Sequence, residues 1–347
     1  MFWKWSKNIG LSLLCLVATL LIGGASYQFI GTKLDESKYP PLGQMVDVGG
    51  YKLHRNSMGS GGPTVVLESG LGCISSDWGL VQSEIAKFTT VISYDRAGMG
   101  WSEESPCPRT SQQIVEDLHT LLHNAKIPGP YILVGHSFGG PNVQLYAITY
   151  PDEVAGLVLV DSSHEEQEKR LPEGPWKNQL ALMRKPNLMR FASLFGVIRF
   201  LSAFYKSQRT SIPESAKLML DISLAMSSTT KQFHTLAKEV QSFSTSMKQL
   251  ADANQTILID KPCYVITAGL IVEELATKFE LSEDFIKQLH STWNELQNEL
   301  ASRFKNSKHF IAKKSDHMIP YNQPEIIIEA VHELIQELTP EPTFNFD

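Results

Sequence analysis

Tyr131-Ile132-Leu133-Val134-Gly135-His136-Ser137-Phe138-Gly139-Gly140 is the stretch whose reading decides the fold. Its four leading apolar residues read as a short buried strand. Gly135-His136-Ser137-Phe138-Gly139 fits G-x-S-x-G, and Val143, Leu145, Tyr146 and Ala147 then carry a helical pattern towards Tyr150-Pro151. Strand, sharp turn and helix are the context in which this motif presents its serine. The reason is steric: the Ser137 hydroxyl stands clear of a sheet only on a strained turn, and flanking glycines leave room for it. The first N–H groups of the following helix would favour negative charge at the same spot. Ser137 is therefore the expected nucleophile.

Working outward, residues 45–48 and 51–54 alternate around Gly49-Gly50 as a hairpin. Further strands are expected at residues 64–67, 90–94, 154–160, 263–266 and 310–312. Helices are expected at residues 78–87, 114–122 and 283–300, with an amphipathic one from Pro324 carrying Ile327, Val331, Leu334, Ile335 and Leu338 on one face. Between Ser162 and about Asn254 there is no strand pattern; Leu188, Phe191, Phe195, Ile198 and Leu201 recur at helical spacing instead. Strands alternating with helices predict an α/β fold with a mostly parallel sheet and helices on both faces. The long helical run, about residues 162–255, reads as an inserted cap.

Composition narrows the class. The 347 residues are 42% hydrophobic and 20% charged, enough for one large domain with an insertion. A formal net charge of -6 argues against a nucleic-acid partner. Cys15, Cys73, Cys107 and Cys263 make no disulfide framework and no zinc spacing, although Cys73 and Cys107 could pair in an oxidising compartment. No cofactor or metal is expected.

The N-terminus reads as standing outside the fold. Lys4 and Lys7 precede an apolar run from about Ile9 to Ile30, after which Lys33, Asp35, Glu36 and Lys38 return to water. That run is long enough to span a bilayer. Gly24-Ala25-Ser26 is also a tolerable cleavage site, so residues 1–37 are a retained anchor or a removed signal segment. Either places residues 38–347 outside the cytosol. Leu14 before Cys15 argues against a lipoprotein.

With these motifs in hand, the chain resembles the α/β-hydrolase superfamily over about residues 45–338. The Ser69-Gly70-Leu71-Gly72 loop, the Asp95-Arg96-Ala97-Gly98-Met99-Gly100 segment, the Ser137 turn and the late His317 carry the resemblance. It is similar to the membrane-anchored or exported serine hydrolases of that superfamily. Many of these have His-Gly where this chain has Ser69-Gly70, which keeps the backbone role and removes a side chain.

The resemblance implies a Ser–acid–His order, with His317 as the base that activates Ser137. It leaves the acid open. Asp161, at the end of the strand over residues 154–160, is one candidate, and Glu273 or Glu274, beyond the next strand, are the others. Asp316 adjoins His317 and is not expected to reach back to it. The oxyanion donors implied are the backbone N–H groups of Phe138 and Leu71. His136 is expected to pack locally and His164, near the cap entrance, to be within reach of a substrate. Asp95 and Arg96 are expected to hold a turn through a buried ion pair. From the cap, Met183, Met189, Phe191, Phe195, Phe200, Phe204 and Met219 are candidates for lining an acyl pocket.

The expected activity is hydrolysis of a carboxylic ester with an apolar portion, through an acyl-enzyme at Ser137. A peptidase, thioesterase, lactonase or carbon–carbon hydrolase would use the same triad. Dehalogenase and epoxide-hydrolase chemistry is disfavoured, because those relatives carry a carboxylate where Ser137 stands. The rival from another class is a non-catalytic ligand receptor on the same fold.

Overall fold

In the computed structural model, which describes residues 2–174, 181, 183–208, 214–254, 260–270 and 280–339, the stretch from Tyr131 lies mid-sheet. The strands are β1 (Gln44–Asp47), β2 (Lys52–Met58), β3 (Thr64–Glu68), β4 (Val91–Tyr94), β5 (Tyr131–His136), β6 (Val154–Val160), β7 (Cys263–Ala268) and β8 (Ser307–Ala312). They form one 8-stranded sheet in the order β1-β2-β4-β3-β5-β6-β7-β8. Only the β1–β2 and β2–β4 pairings are antiparallel. The opening hairpin pairs Met45 with His54, and from β3 onward the sheet is parallel.

Every residue of β5 is buried, because helices cover both faces of the sheet. Side chains alternate across it: Ile132 and Val134 join the core on one face, while Leu133 joins the core on the other. The helices are α1 (Phe2–Lys38), α2 (Gly79–Ile85), α3 (Ser111–Asn124), α4 (Gly139–Thr149), α5 (Gln167–Arg170), α6 (Pro186–Leu194), α7 (Val197–Gln208), α8 (Glu214–Ser227), α9 (Thr230–Asn254), α10 (Glu283–Ser302), α11 (Ile319–Asn322) and α12 (Pro324–Leu338). Helix α4 is buried nearly all round, packed between β5, α3 and α9. Helix α12 buries Ile327, Val331 and Leu334 against α2 and the β6–β7 face. Helices α5 to α9 fall between β6 and β7 as a helical insertion into the sheet's sequence.

One difference from the sequence reading stands out. Helix α1 does not end with the apolar run but continues to Lys38, and its second half is docked on the cap. Gln28 donates to the Ser228 carbonyl at 2.9 Å, and Asp35 accepts from Arg199 at 2.5 Å. These partners supply what the polar turn after Ile30 lacks on its own. The cysteines follow the sequence reading of no disulfide framework: Cys15, Cys73, Cys107 and Cys263 all carry free thiols.

Candidate active site

The sheet reverses its winding at β3, which has β4 on one side and β5 on the other. The crevice at the carboxyl ends of such strands is where α/β sheets take ligands. Glu68 closes β3 directly opposite Gly135 of β5, so the Ser69–Gly72 loop and the Ser137 turn leave the sheet side by side. Ser137 occupies the left-handed region at φ 54°. The turn is crowded as well as strained. A Cβ at Gly135 would stand 2.6 Å from the Gly139 carbonyl oxygen, and one at Gly139 would collide with that of Glu68.

Three residues separated widely in sequence meet at this turn. His317 Nε2 lies 2.9 Å from Ser137 Oγ. His317 Nδ1 lies 2.6 Å from Asp161 Oδ2. Asp161, beyond the end of β6, is buried, and its Oδ1 accepts from Ala268 N at 3.0 Å and Trp293 Nε1 at 2.9 Å. Burial works to raise the Asp161 carboxyl, but His317 and these two donors win and hold it below the usual value. For His317 the signs reverse. Burial opposes its charged form, yet the Asp161 carboxylate holds its pKa above the ordinary 6.5. Glu273 and Glu274, the other candidate acids, lie outside the described residues.

Local packing braces this arrangement. His136 Nε2 is 2.8 Å from the His317 carbonyl oxygen. Burial first, then the neighbouring His317, depress the His136 pKa to about 3, so its neutral ring donates from Nε2. Asp316 accepts from Met318 N and Asn322 Nδ2, so its carboxylate is engaged by the α11 segment rather than by the imidazole of His317.

The Asp95–Arg96 expectation is corrected. Both are buried, but they do not pair with each other. Asp95 accepts from the N–H groups of Ser75 and Trp101 and pairs with His54 Nδ1 at 2.9 Å. Arg96 pairs with Glu68 at 2.9 Å and with Glu239 of α9 at 2.7 Å. It also donates to the carbonyls of Ser69 at 2.6 Å and Gly70 at 2.8 Å. Adjacent side chains in an extended segment point to opposite sides, which is why the two diverge.

A cavity of about 510 Å³ opens at Ser137, with Leu71, Phe138, Leu171, Val240 and Phe243 as its apolar wall and Gln167 and the Glu168–Arg184 pair among its polar lining. A second, of about 290 Å³, lies on the His317 side and is lined by Ala268, Leu270, Leu289, His290 and Trp293. Ser137, Ser163 and Gln167 border both. None of the seven cap residues singled out from sequence lines either cavity. Met189 is buried and Met219 sits against Gly79. Phe191, Phe200 and Phe204 are exposed, and the Phe195 ring packs tilted against that of Phe191 with centroids 4.7 Å apart. His164 is likewise outside the cavities. It is fully buried, with Nε2 2.7 Å from Arg303. Sequence reasoning missed Trp293, Gln167 and Arg184, none of which sits in a recognisable motif. Among the described residues no group of three or more His, Cys, Asp or Glu side chains could hold a metal ion.

Residues 63–216 match the family model for the alpha/beta hydrolase fold. The fold of the chain is that of the α/β hydrolases. It is 27% identical to YqjL of Bacillus subtilis over 290 residues, covering 82% of this chain and 87% of that one. Among solved structures it resembles Cfl2 of Burkholderia cenocepacia, with a TM-score of 0.65 and 18% identity over 84% of this chain and 94% of that one. It also resembles an esterase from Thermogutta terrifontis, with a TM-score of 0.60 and 19% identity over 85% of this chain and 98% of that one. At these identities the likeness speaks for the fold.

Proposed function

We propose that the protein is a serine hydrolase cleaving a carboxylic ester with an apolar portion. The observation that carries this reading is the chain of contacts from Ser137 Oγ through His317 to Asp161. His317 Nε2 takes the hydroxyl proton as Oγ attacks the ester carbonyl carbon. The same nitrogen returns the proton to the departing alkoxide, leaving an acyl-Ser137. Water, deprotonated by His317, then releases the acid. Asp161 keeps the imidazole oriented and stabilises its cation.

The N–H groups of Leu71 and Phe138 are the oxyanion donors in this mechanism. Supporting it, the carbonyl of Gly70 is held by Arg96, and in a trans peptide the next N–H points the opposite way. Phe138 immediately precedes α4, whose N-terminal dipole favours the developing charge. Both residues border the larger cavity with Ser137. That cavity suits an apolar acyl group, and the smaller one, beside the base that protonates the leaving oxygen, suits the alcohol.

Residues 1–37 serve in this reading as a retained membrane anchor, with residues 38–347 as an extracytoplasmic catalytic domain and its cap at about 162–255. In support, residues 24–35 are part of one helix and dock on the cap, so cleavage after Ser26 would cut through a packed element.

Labelling with a fluorophosphonate probe tests the reading. The full chain in detergent is expected to react, and Ser137→Ala and His317→Ala variants to be unreactive. A folded wild-type chain that resists the probe and hydrolyses no p-nitrophenyl ester would instead support a ligand receptor.

A further inference from the structure

Ile9, Leu11, Leu13, Leu14, Leu16 and Leu20 of α1 are exposed. The next charged residue after Lys7 is Lys33, so nothing earlier marks where the helix leaves an apolar phase. Crossing about 30 Å of hydrocarbon takes roughly 20 residues at about 1.5 Å each. A span starting at Ile9, the first apolar residue after Lys7, therefore runs to the level of Gln28. Starting it later only moves that boundary towards Lys33.

The cap meets α1 below that level. A Cβ on Gly24 would lie 2.5 Å from the carbonyl oxygen of Phe195, and one on Gly196 would lie 2.7 Å from the ring of Tyr27. Gly24 stands four residues short of Gln28, or about 6 Å along the helix axis. The corner at Phe195-Gly196, where α6 and α7 meet at 74°, is thus at the depth of the hydrocarbon. Its outward side chains suit that place. Phe191, Leu194, Val197, Phe200 and Leu201 are 55%, 44%, 48%, 65% and 55% exposed.

The charges fall on the water side of the same boundary. Arg199 packs across Gly31 and bonds Thr32 and Asp35, all beyond Gln28. Arg190 is exposed on α6, and its long side chain can lift its charge to the headgroups.

We propose that the α6–α7 corner is a second membrane contact, seated in the same leaflet that α1 leaves. This rests on the reading of α1 as a membrane anchor. A lipid surface fits better than a protein partner because the exposed face continues the apolar surface of α1 at the same depth.

The test uses the full chain in phosphatidylcholine vesicles doped with a phosphatidylcholine whose acyl chain ends in a diazirine. After irradiation, lipid adducts are mapped by mass spectrometry. Adducts are expected both in residues 9–28 and in residues 188–201. Paired Phe200→Asp and Leu201→Asp substitutions should cut the second set severalfold while fluorophosphonate labelling of Ser137 persists. Adducts confined to residues 9–28 would overturn the proposal and leave the anchor standing. No adducts in either segment would sink both, without touching the hydrolase reading. Cross-links joining the corners of two chains, with no adducts there, would assign the face to a second copy and overturn the proposal too.

Discussion

The indole of Trp293 donates a 2.9 Å hydrogen bond to Oδ1 of Asp161. Ala268 N donates to the same oxygen, which among the described residues leaves Oδ2 to His317. The two oxygens of one carboxylate are therefore not equivalent. In Asp161→Asn the amide oxygen would keep the two donors on the Oδ1 side and turn its NH₂ towards His317 Nδ1. The imidazole would then carry its proton on Nε2, where it cannot accept from Ser137. Turnover should fall about 10⁴-fold with the fold intact. Near-normal turnover, with collapse in Glu273→Gln or Glu274→Gln, would move the acid elsewhere.

With His317 as the base of the proposed mechanism, its protonation should set the pH profile. The base works only when neutral, and Asp161 stabilises its charged form, so kcat/KM should rise with pH through a midpoint above 6.5. His136, held near 3, contributes nothing over that range. A rate profile with its midpoint below 6.5 would contradict the pairing of His317 with Asp161.

Arg96 joins the Ser69–Gly70 backbone to the cap through Glu239, and its guanidinium lies 5.8 Å from the Phe138 ring centre. Arg96→Met should remove about 3–5 kcal/mol of stability, because Glu68 and Glu239 would be left buried without their cation. Glu239→Gln keeps a hydrogen-bond acceptor and should fold. Its kcat should drop while KM changes little, if the link orients the donors rather than the substrate. Urea titrations of both variants, with kinetics of the second, separate the two roles.

Leu171 lines the larger cavity but not the smaller one. Leu171→Trp should depress kcat/KM for long-acyl p-nitrophenyl esters at least tenfold and spare the acetate. Equal losses across the acyl series would mean that the acyl group binds elsewhere.

How much of this could be read from the sequence depends on the range of the signal. The Ser137 turn announces itself because strand, glycines and helix are contiguous, and His317 is marked by following the last strand, while strand ends left the acid open between Asp161 and Glu273 or Glu274. Trp293 has no such mark. It sits in a helical pattern, and only folding brings α10 against the end of β6. The apolar stripe through Phe191 and Leu201 was legible as a helix face but not as to what it faces. Periodicity reports that one side is apolar, and a bilayer satisfies that as well as a core does. Arg96 looked tied to its sequence neighbour, whereas its partners are 28 and 143 residues away.

The left-handed backbone at Ser137 makes the least replaceable atom of the site an encumbrance to the rest of the chain. An L residue in that region is less stable by about 1–2 kcal/mol, a penalty that glycine escapes. Ser137→Gly should therefore withstand heat better than Ser137→Ala, though neither can form an acyl-enzyme. A lineage released from catalysis would be expected to drift towards glycine at this position, gaining durability as it lost chemistry.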